Sequence, residues 1–262
     1  MKFILQDNLM NVDHCLQVKY AMDPYPNTCV GVIPFSNEIT CQEELVGQDY
    51  IPYGSTLLTM LADDLGWKGL FFDLDTFNYR SFLYHRDDML NDNVMEIVEA
   101  IGFLALQDPE SEWFVRPSQD LKQFSGMVEK AGELVAWFRD AMEFSGSGSY
   151  KIEPGTEIVV STPKNIQAEW RYFVVGGKVI SGSMYRYRGQ LNSKRELDEK
   201  VLAEAQEFAD GWLPHDTCAM DLALVDDEVK VIEFNCFNSS GFYDNDVEAV
   251  FDAIWLNMQR KN

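Results

Sequence analysis

Short apolar runs alternate with amphipathic stretches along the first part of the chain. Lys2 to Gln6 is an apolar run, Asn11 to Met22 has helical spacing, and Thr28 to Ile33 is rich in β-branched residues, which together predict a β-α-β start. A second helix is expected over Ser55 to Leu65, capped by Ser55 and closed by Gly66, with Trp67 to Asp73 as a further strand. Residues 1 to about 90 therefore read as an open α/β unit. No G-x-G-x-x-G follows the first strand, so a scaffold that shapes a substrate cleft is expected there in preference to a dinucleotide site.

The rhythm then changes. Asn93 to Leu106 has the spacing of a joining helix, and Trp113 to Pro117 that of a strand ended by proline. A polar loop through Lys122 to Gly126 leads into an expected helix from Met127 to about Met142, then into Ser145-Gly146-Ser147-Gly148-Ser149, a flexible connection by composition. Glu157 to Val160 is a strand stopped by Thr162-Pro163. Two hairpins follow, separated by an expected helix from Ser193 to Ala209 whose Ser193 and Glu196 fit a capping box. Asp246 to Met258 supplies a last amphipathic helix.

The hairpins aim charges. Gly176-Gly177 permits a tight primed turn, and a two-residue loop sets Val175 against Lys178, Phe173 against Ile180, Arg171 against Gly182 and Glu169 against Met184. Arg171 and Arg186 then share a face beside the space left by Gly182, with Trp170, Tyr172, Val174, Val179 and Tyr185 on the other. In the second hairpin, a three-residue turn Asp226-Asp227-Glu228 sets Asp221 opposite Glu233. Asp221, Glu233 and Asn235 then share one face, and Met220, Leu222, Leu224, Ile232 and Phe234 form the core face. Oxygen donors at that spacing suit Mg²⁺, and two carboxylates facing each other repel unless a cation joins them. From the hairpins alone, a solvated sheet face and an edge hairpin turned to water stay open as alternatives.

Charge sharpens this picture. The chain carries 21 Lys and Arg against 43 Asp and Glu, a formal charge of −22 over 262 residues. That sign opposes adhesion to nucleic acid or anionic lipid, so scarce cations such as Arg116, Lys122, Arg171 and Arg186 gain weight as places for an anionic ligand. Five cysteines without a C-x-x-C pair and three scattered histidines give no zinc-finger spacing. No run is long and apolar enough for a bilayer, and the start turns polar too early for a signal peptide. The expectation is a soluble cytoplasmic chain with reduced cysteines, without nucleic-acid or membrane partners.

Residues from about 110 to 245, in the order of these motifs, resemble the nucleotide-binding unit of the ATP-grasp superfamily, and most closely its clade with two arginines and a lysine around the nucleotide. The resemblance implies an N-terminal open α/β domain at 1–92, a small ATP-grasp subdomain at 93–160 and a C-terminal subdomain at 161–262, the two α+β subdomains enclosing ATP. By the same resemblance, Arg116 in Phe114-Val115-Arg116-Pro117 and Lys122 in the following loop contact phosphates, and Val159, Val160 and Ser161 read the adenine edge through backbone groups. Arg171 in Glu169-Trp170-Arg171 and Arg186 serve the phosphates and the reacting centre, while Asp221, Glu233 and Asn235 hold Mg²⁺. The loop Asn238-Ser239-Ser240-Gly241 follows the metal strand, and its backbone N–H groups are expected to help hold a substrate carboxylate, with an ordinary turn as the alternative. Ser161 stands where family members often carry an acidic residue. The implied activity is ligation of a small-molecule or peptide carboxylate to an amine through an acyl-phosphate, releasing ADP. A phosphotransferase on the same Mg·ATP site and a non-catalytic acidic binding protein are the rivals.

Overall fold

In the computed structural model, residues 1–9, 12–33, 36, 38–119, 123–144 and 152–261 are described. The chain divides into two compact units, one of Met1–Asp73, Ala168–Leu222 and Phe234–Asn262, the other of Leu74–Gln167 and Ala223–Glu233.

The first unit opens with β1 (Lys2–Gln6), α1 (Val12–Met22), β2 (Asn27–Val30), β3 (Tyr50–Tyr53) and α2 (Thr56–Asp64). β1 lies between β2 and β3 and runs parallel to both. Phe3, Ile4 and Leu5 are all buried, as expected of a parallel strand covered on both faces. Ser55 caps α2 by accepting a hydrogen bond from Leu58 N at 3.3 Å. The expected strand at Trp67 to Asp73 does not form. Tyr50–Tyr53 takes the open edge of β1 instead. Lys68 N and Gly69 N donate to Gln48 O and Tyr50 O at 2.8 and 2.9 Å, and Phe71 N donates to Asn238 Oδ1 at 2.8 Å, so these backbone donors are met without a regular ladder.

The second unit contains α3 (Tyr79–His85), β4 (Val94–Glu96), α4 (Ile97–Leu104), β5 (Glu112–Pro117), β6 (Met127–Lys130), α5 (Ala131–Phe144) and β7 (Glu157–Ser161). Its antiparallel sheet has the order β4-β7-β5-β6. Ile97, Leu104, Leu134 and Phe138 pack from the helices against Val115, Ile158 and Val160. Two expected helices begin later than their periodicity suggested, because their first residues complete this sheet. Val94 pairs with Val159, and Val128 with Phe114. Glu99 Oε2 then accepts from Glu96 N at 3.1 Å and starts α4.

The remaining elements are β8 (Ile166–Val175), β9 (Lys178–Tyr187), β10 (Gln190–Arg195), α6 (Glu199–Ala209), β11 (Cys218–Val225), β12 (Glu228–Asn235) and α7 (Val247–Lys261). The strands follow the order β10-β9-β8-β11-β12. Gly176 and Gly177, at φ +58° and +75°, make the expected primed turn, and Val175 meets Lys178. The register then departs from the simple count. Phe173 pairs with Ser181, Arg171 with Ser183 and Glu169 with Arg186, with irregularities that leave Ile180 and Tyr185 as extra residues on β9. Ile180 uses its bulge to pack on the core that holds Phe173 and Phe242. Gly182 faces Tyr172, and a Cβ there would lie 2.5 Å from its ring, so the glycine makes room for Tyr172 and not for Arg171.

Two further expectations are corrected. Ser193 to Arg195 belong to β10, an exposed strand paired to β9 after Arg188-Gly189, both at positive φ; α6 starts at Glu199, where Asp198 Oδ1 accepts from Lys200 N at 2.9 Å. The second hairpin turns through Asp226 and Asp227 alone, at φ +51° and +66°, so Glu228 is strand and the count built on a three-residue turn fails at its first pair. Among the described residues, no helix is long and apolar enough to cross a membrane.

Candidate functional site

Arg116 in the second unit projects from β5, one residue before the proline that ends the strand. Its Nη2 pairs with Glu233 Oε2, and both side chains keep a little solvent exposure, 17% and 18%. The guanidinium also lies 5.9 Å from the centre of the Tyr79 ring, within cation–π range. Tyr79 is buried; its hydroxyl donates to Ile232 O at 3.0 Å and accepts from Asn91 N and Nδ2. Burial pushes its pKa up to about 12, although the Asn91 hydrogen bond and the Arg116 charge pull the other way. Asn91 Oδ1 in turn accepts from Ser161 Oγ at 2.7 Å. Ser161 is thus tied to the same buried network that supports Arg116. β7 lies between β4 and β5, and Val160 N already donates to Asn93 O at 3.1 Å.

The first unit holds a second cation–carboxylate pair. Arg171 Nε and Nη2 donate to the two oxygens of Asp221 at 2.8 and 2.7 Å, a bidentate fork with side chains only 11% and 1% exposed. Burial works against the guanidinium charge, but the Asp221 carboxylate and its hydrogen bonds outweigh that and hold the Arg171 pKa above its ordinary range. Arg171 Nη1 donates to Gly241 O at 3.2 Å, and Asn235 Nδ2 lies 3.4 Å from Asp221 Oδ2. The Tyr243 ring sits 5.2 Å from the Arg171 guanidinium and stacks on Tyr185 at 4.6 Å, 9° from parallel.

The bulge at Tyr185 brings its side chain to the arginine face, contrary to expectation. Its hydroxyl donates to Glu169 Oε2 at 2.8 Å, and Arg186 Nη1 donates to Glu169 Oε1 at 3.3 Å. Burial and then the Asp221 and Glu169 charges raise the Tyr185 pKa well above the phenol range. Arg171 and Arg186 do share a face, joined through Glu169, Tyr185 and Tyr243.

The loop after β12 is anchored from within. Asn238 is fully buried; its Oδ1 accepts from Phe71 N at 2.8 Å and its Nδ2 donates to Pro52 O and Gly69 O at 2.7 and 3.0 Å. Ser239 N and Ser240 N donate to Cys236 O and Phe237 O at 3.3 and 3.2 Å. Ser240 O accepts from the Tyr53 hydroxyl at 2.6 Å, and His14 Nε2 lies 2.8 Å from that hydroxyl.

Within the first unit, therefore, Arg171, Asp221, Asn235 and Gly241 come together; Arg116 and Glu233 do so within the second. Lys122 and Ser145 to Ser149 lie outside the described residues. Sequence reasoning missed Tyr79, Asn91 and Glu169 as supports. Only Glu169 left a signal, an acidic residue two positions before Arg171 on the same strand face.

The family described as ATP-grasp domain, R2K clade family 2, matches residues 95–253, more than half of the chain. The protein belongs to this family. Every candidate site residue of this ATP-grasp chain lies inside the matched span. None of the curated proteins matches it. Among solved structures, the D-cycloserine synthetase DcsG superposes with a TM-score of 0.64 at 10% identity, over 98% of each chain. A D-alanine–D-alanine ligase from Bacillus anthracis gives 0.63 at 12% identity, over 100% of this chain and 98% of that one. The ATP-grasp ligase PsnB, complexed with a phosphomimetic variant of its minimal precursor, Mg and ADP, gives 0.55 at 8% identity, over 98% and 99%. At these identities the likeness establishes the ATP-grasp fold.

Proposed function

We propose that this ATP-grasp protein is an ATP-dependent carboxylate–amine ligase. A substrate carboxylate oxygen attacks the γ-phosphorus of ATP and ADP leaves; the amine nitrogen then attacks the acyl carbon, phosphate leaves, and the nitrogen loses a proton. Both steps gather anions at one point, so fixed positive charge and positioning must carry most of the rate. Arg116 and Lys122 grip the phosphates in this reading, Val159, Val160 and Ser161 line the adenine edge, and Arg171 and Arg186 steady the incoming carboxylate and the acyl-phosphate. Since Val160 N is engaged by Asn93 O, the base would be read at Ser161 and beyond. The loop Asn238 to Gly241 borders the substrate carboxylate, with its shape set by the Asn238 side-chain bonds to Phe71, Pro52 and Gly69; Ser239 N and Ser240 N, expected to face the substrate, donate to Cys236 O and Phe237 O instead.

Asp221, Glu233 and Asn235 are the proposed holders of Mg²⁺. The donor set fits by type: two carboxylates and an amide carbonyl are hard oxygen ligands that leave coordination positions for phosphate and water, and Asn235 lies beside Asp221, its Nδ2 donating to Oδ2 at 3.4 Å, so the amide would turn its oxygen to a bound ion. When bound, the ion neutralises phosphate charge and polarises the γ-phosphorus.

The observation that carries the proposal is that both arginines are held against carboxylates of the proposed metal set, Arg116 by Glu233 and Arg171 by Asp221, in a chain whose family binds ATP. The test is an ADP-release screen over amino acids, peptides and amines, with hydroxylamine present to trap an acyl-phosphate as a hydroxamate. ADP formation that needs a carboxylate and yields hydroxamate supports the ligase. A stable phosphorylated product would make the protein a phosphotransferase, and no Mg·ATP binding would make it a non-catalytic binder.

A further inference from the structure

We propose that Tyr243 is a positioning residue for the ligation: a strained turn holds its ring against the Arg171 guanidinium and so fixes the direction in which that cation meets the carboxylate and the acyl-phosphate. The proposal rests on the ligase reading of this site, and every residue it uses lies within the first unit.

Tyr243 has φ +51°. A β-carbon crowds the backbone in that left-handed region, so a bulky residue there is an outlier that needs a cause. Tyr243 is the second residue of a turn closed by Asn245 N, which donates to Phe242 O at 3.0 Å; glycine, asparagine or aspartate is the usual occupant when φ is positive at such a position. The flanking residues enforce the conformation. Phe242 is fully buried and stacks on Phe173 at 4.4 Å. Asp244 N donates to Ser183 Oγ at 3.3 Å, Asp246 N to Ser181 Oγ at 2.8 Å, and Asn245 Nδ2 to Arg171 O at 3.2 Å. Both sides of Tyr243 are thus tied to β8 and β9, the strands that carry Arg171 and Tyr185.

Burial is a poor cause for the strain, because Tyr243 stays 43% exposed. What the turn achieves is placement, and strain held in place by its surroundings points to a functional role. The ring stacks on Tyr185 at 4.6 Å and lies 5.2 Å from the Arg171 guanidinium, a cation–π distance. Arg171 gives Nε and Nη2 to Asp221 and Nη1 to Gly241 O. Among the described residues those bonds use three of the five guanidinium N–H groups, which leaves two for an anion. The ring beside the guanidinium limits the tilt of its plane and therefore where those two N–H groups point. Tyr243 acts through Arg171 and touches no reacting atom.

Glycine and alanine at this position separate placement from packing, because both delete the ring and only glycine relieves the strain. Melting scans of the ligand-free protein should put Tyr243→Gly about 2–4 °C above Tyr243→Ala, the reverse of their order where φ is negative. Turnover is followed as Mg·ATP-dependent ADP release with hydroxylamine as the nucleophile and the acid that best supports the wild type. It should fall about tenfold in both variants, the scale of one partly buried cation–π contact, with KM for ATP within about twofold. Tyr243→Phe keeps the ring and should stay within about threefold of wild type.

Glycine melting no higher than alanine overturns the strained turn. Full turnover in either ring deletion, well below both melting midpoints, makes the ring packing alone and overturns its positioning role. So does a Tyr243→Phe variant as slow as Tyr243→Ala, since the hydroxyl would then carry the effect. A wild type that releases no ADP with any acid overturns the ligase reading by itself, and the glycine–alanine order still decides the strained turn.

Discussion

Replacing Asn238 by alanine tests whether the loop after β12 owes its shape to a buried bracket. The Asn238 side chain joins three separate backbone groups: it accepts from Phe71 N at 2.8 Å and donates to Pro52 O at 2.7 Å and Gly69 O at 3.0 Å. Alanine would leave one buried N–H and two buried carbonyls without partners. A stranded donor costs about 1–3 kcal/mol, and carbonyls are somewhat more tolerant of loss, so we expect a total of about 3–5 kcal/mol. That is a large share of the ~5–15 kcal/mol that keeps a domain folded. Urea unfolding followed by tryptophan fluorescence should show the midpoint falling with little change in slope.

Asn238→Asp separates the bracket from mere volume. It keeps the shape and the acceptor for Phe71 N but turns a carboxylate toward two carbonyl oxygens. The folded protein should therefore favour the protonated acid, which can donate one hydrogen bond. A carboxyl whose folded pKa lies above its unfolded value of ~3.9 contributes most at low pH and loses that contribution as pH rises through the folded pKa. Asn238→Asp should accordingly be closer to wild type near pH 4 than near pH 7. If Asn238→Ala stays within about 1 kcal/mol of wild type and instead raises KM for the acid substrate, the bracket reasoning is wrong and the side chain serves the substrate.

Asp221→Asn leaves the buried Arg171 guanidinium without its counter-charge and should cost about 3–5 kcal/mol, most of it recovered when Arg171→Met is added; a denaturant series on both variants checks this. Gly182→Ala would place a Cβ 2.5 and 2.7 Å from Tyr172 ring atoms, so the melting temperature should drop by the equivalent of about 1–3 kcal/mol, and unchanged stability would show that the ring has room to shift. Burial lowers the His14 pKa, so the folded state favours the neutral ring. That stability is complete above the unfolded pKa of ~6.5 and lost as pH falls, and His14→Gln should therefore lose less stability than wild type between pH 7.5 and 5.5.

Much of the element order was legible where it depends on local signals. The β-branched and apolar runs at Lys2 to Gln6 and Glu157 to Val160 became β1 and β7, and Gly176-Gly177 made its turn. Strands with little periodicity of their own were not legible. Gln190 to Arg195 is wholly exposed and is a strand only because β9 offers it an edge; Val94 to Glu96 and Met127 to Lys130 became strands for the same kind of reason, at the cost of the first turns of helices that their spacing favoured. These are tertiary decisions overriding propensity.

Register was the least legible feature, and the site shows why. A count outward from a turn assumes one residue against one, and each bulge breaks it. On β9 two bulges shift the pairing in the same direction, by one residue each, so Arg171 meets Ser183 and Glu169 meets Arg186. Because β8 itself carries no extra residue, its own alternation is intact, and Glu169, Arg171 and Phe173 still share a face. The expectation that Arg171 and Arg186 lie together therefore held although every pairing beyond the first bulge was off. The bulge at Tyr185 accounts for what the count could not foresee. It turns a phenol that strict alternation would bury on the far side toward Glu169, and the Tyr185–Tyr243 stack then reaches the ring beside Arg171. One inserted residue thus supplies the link between the two arginines, by the local re-aiming of a side chain that a bulge produces.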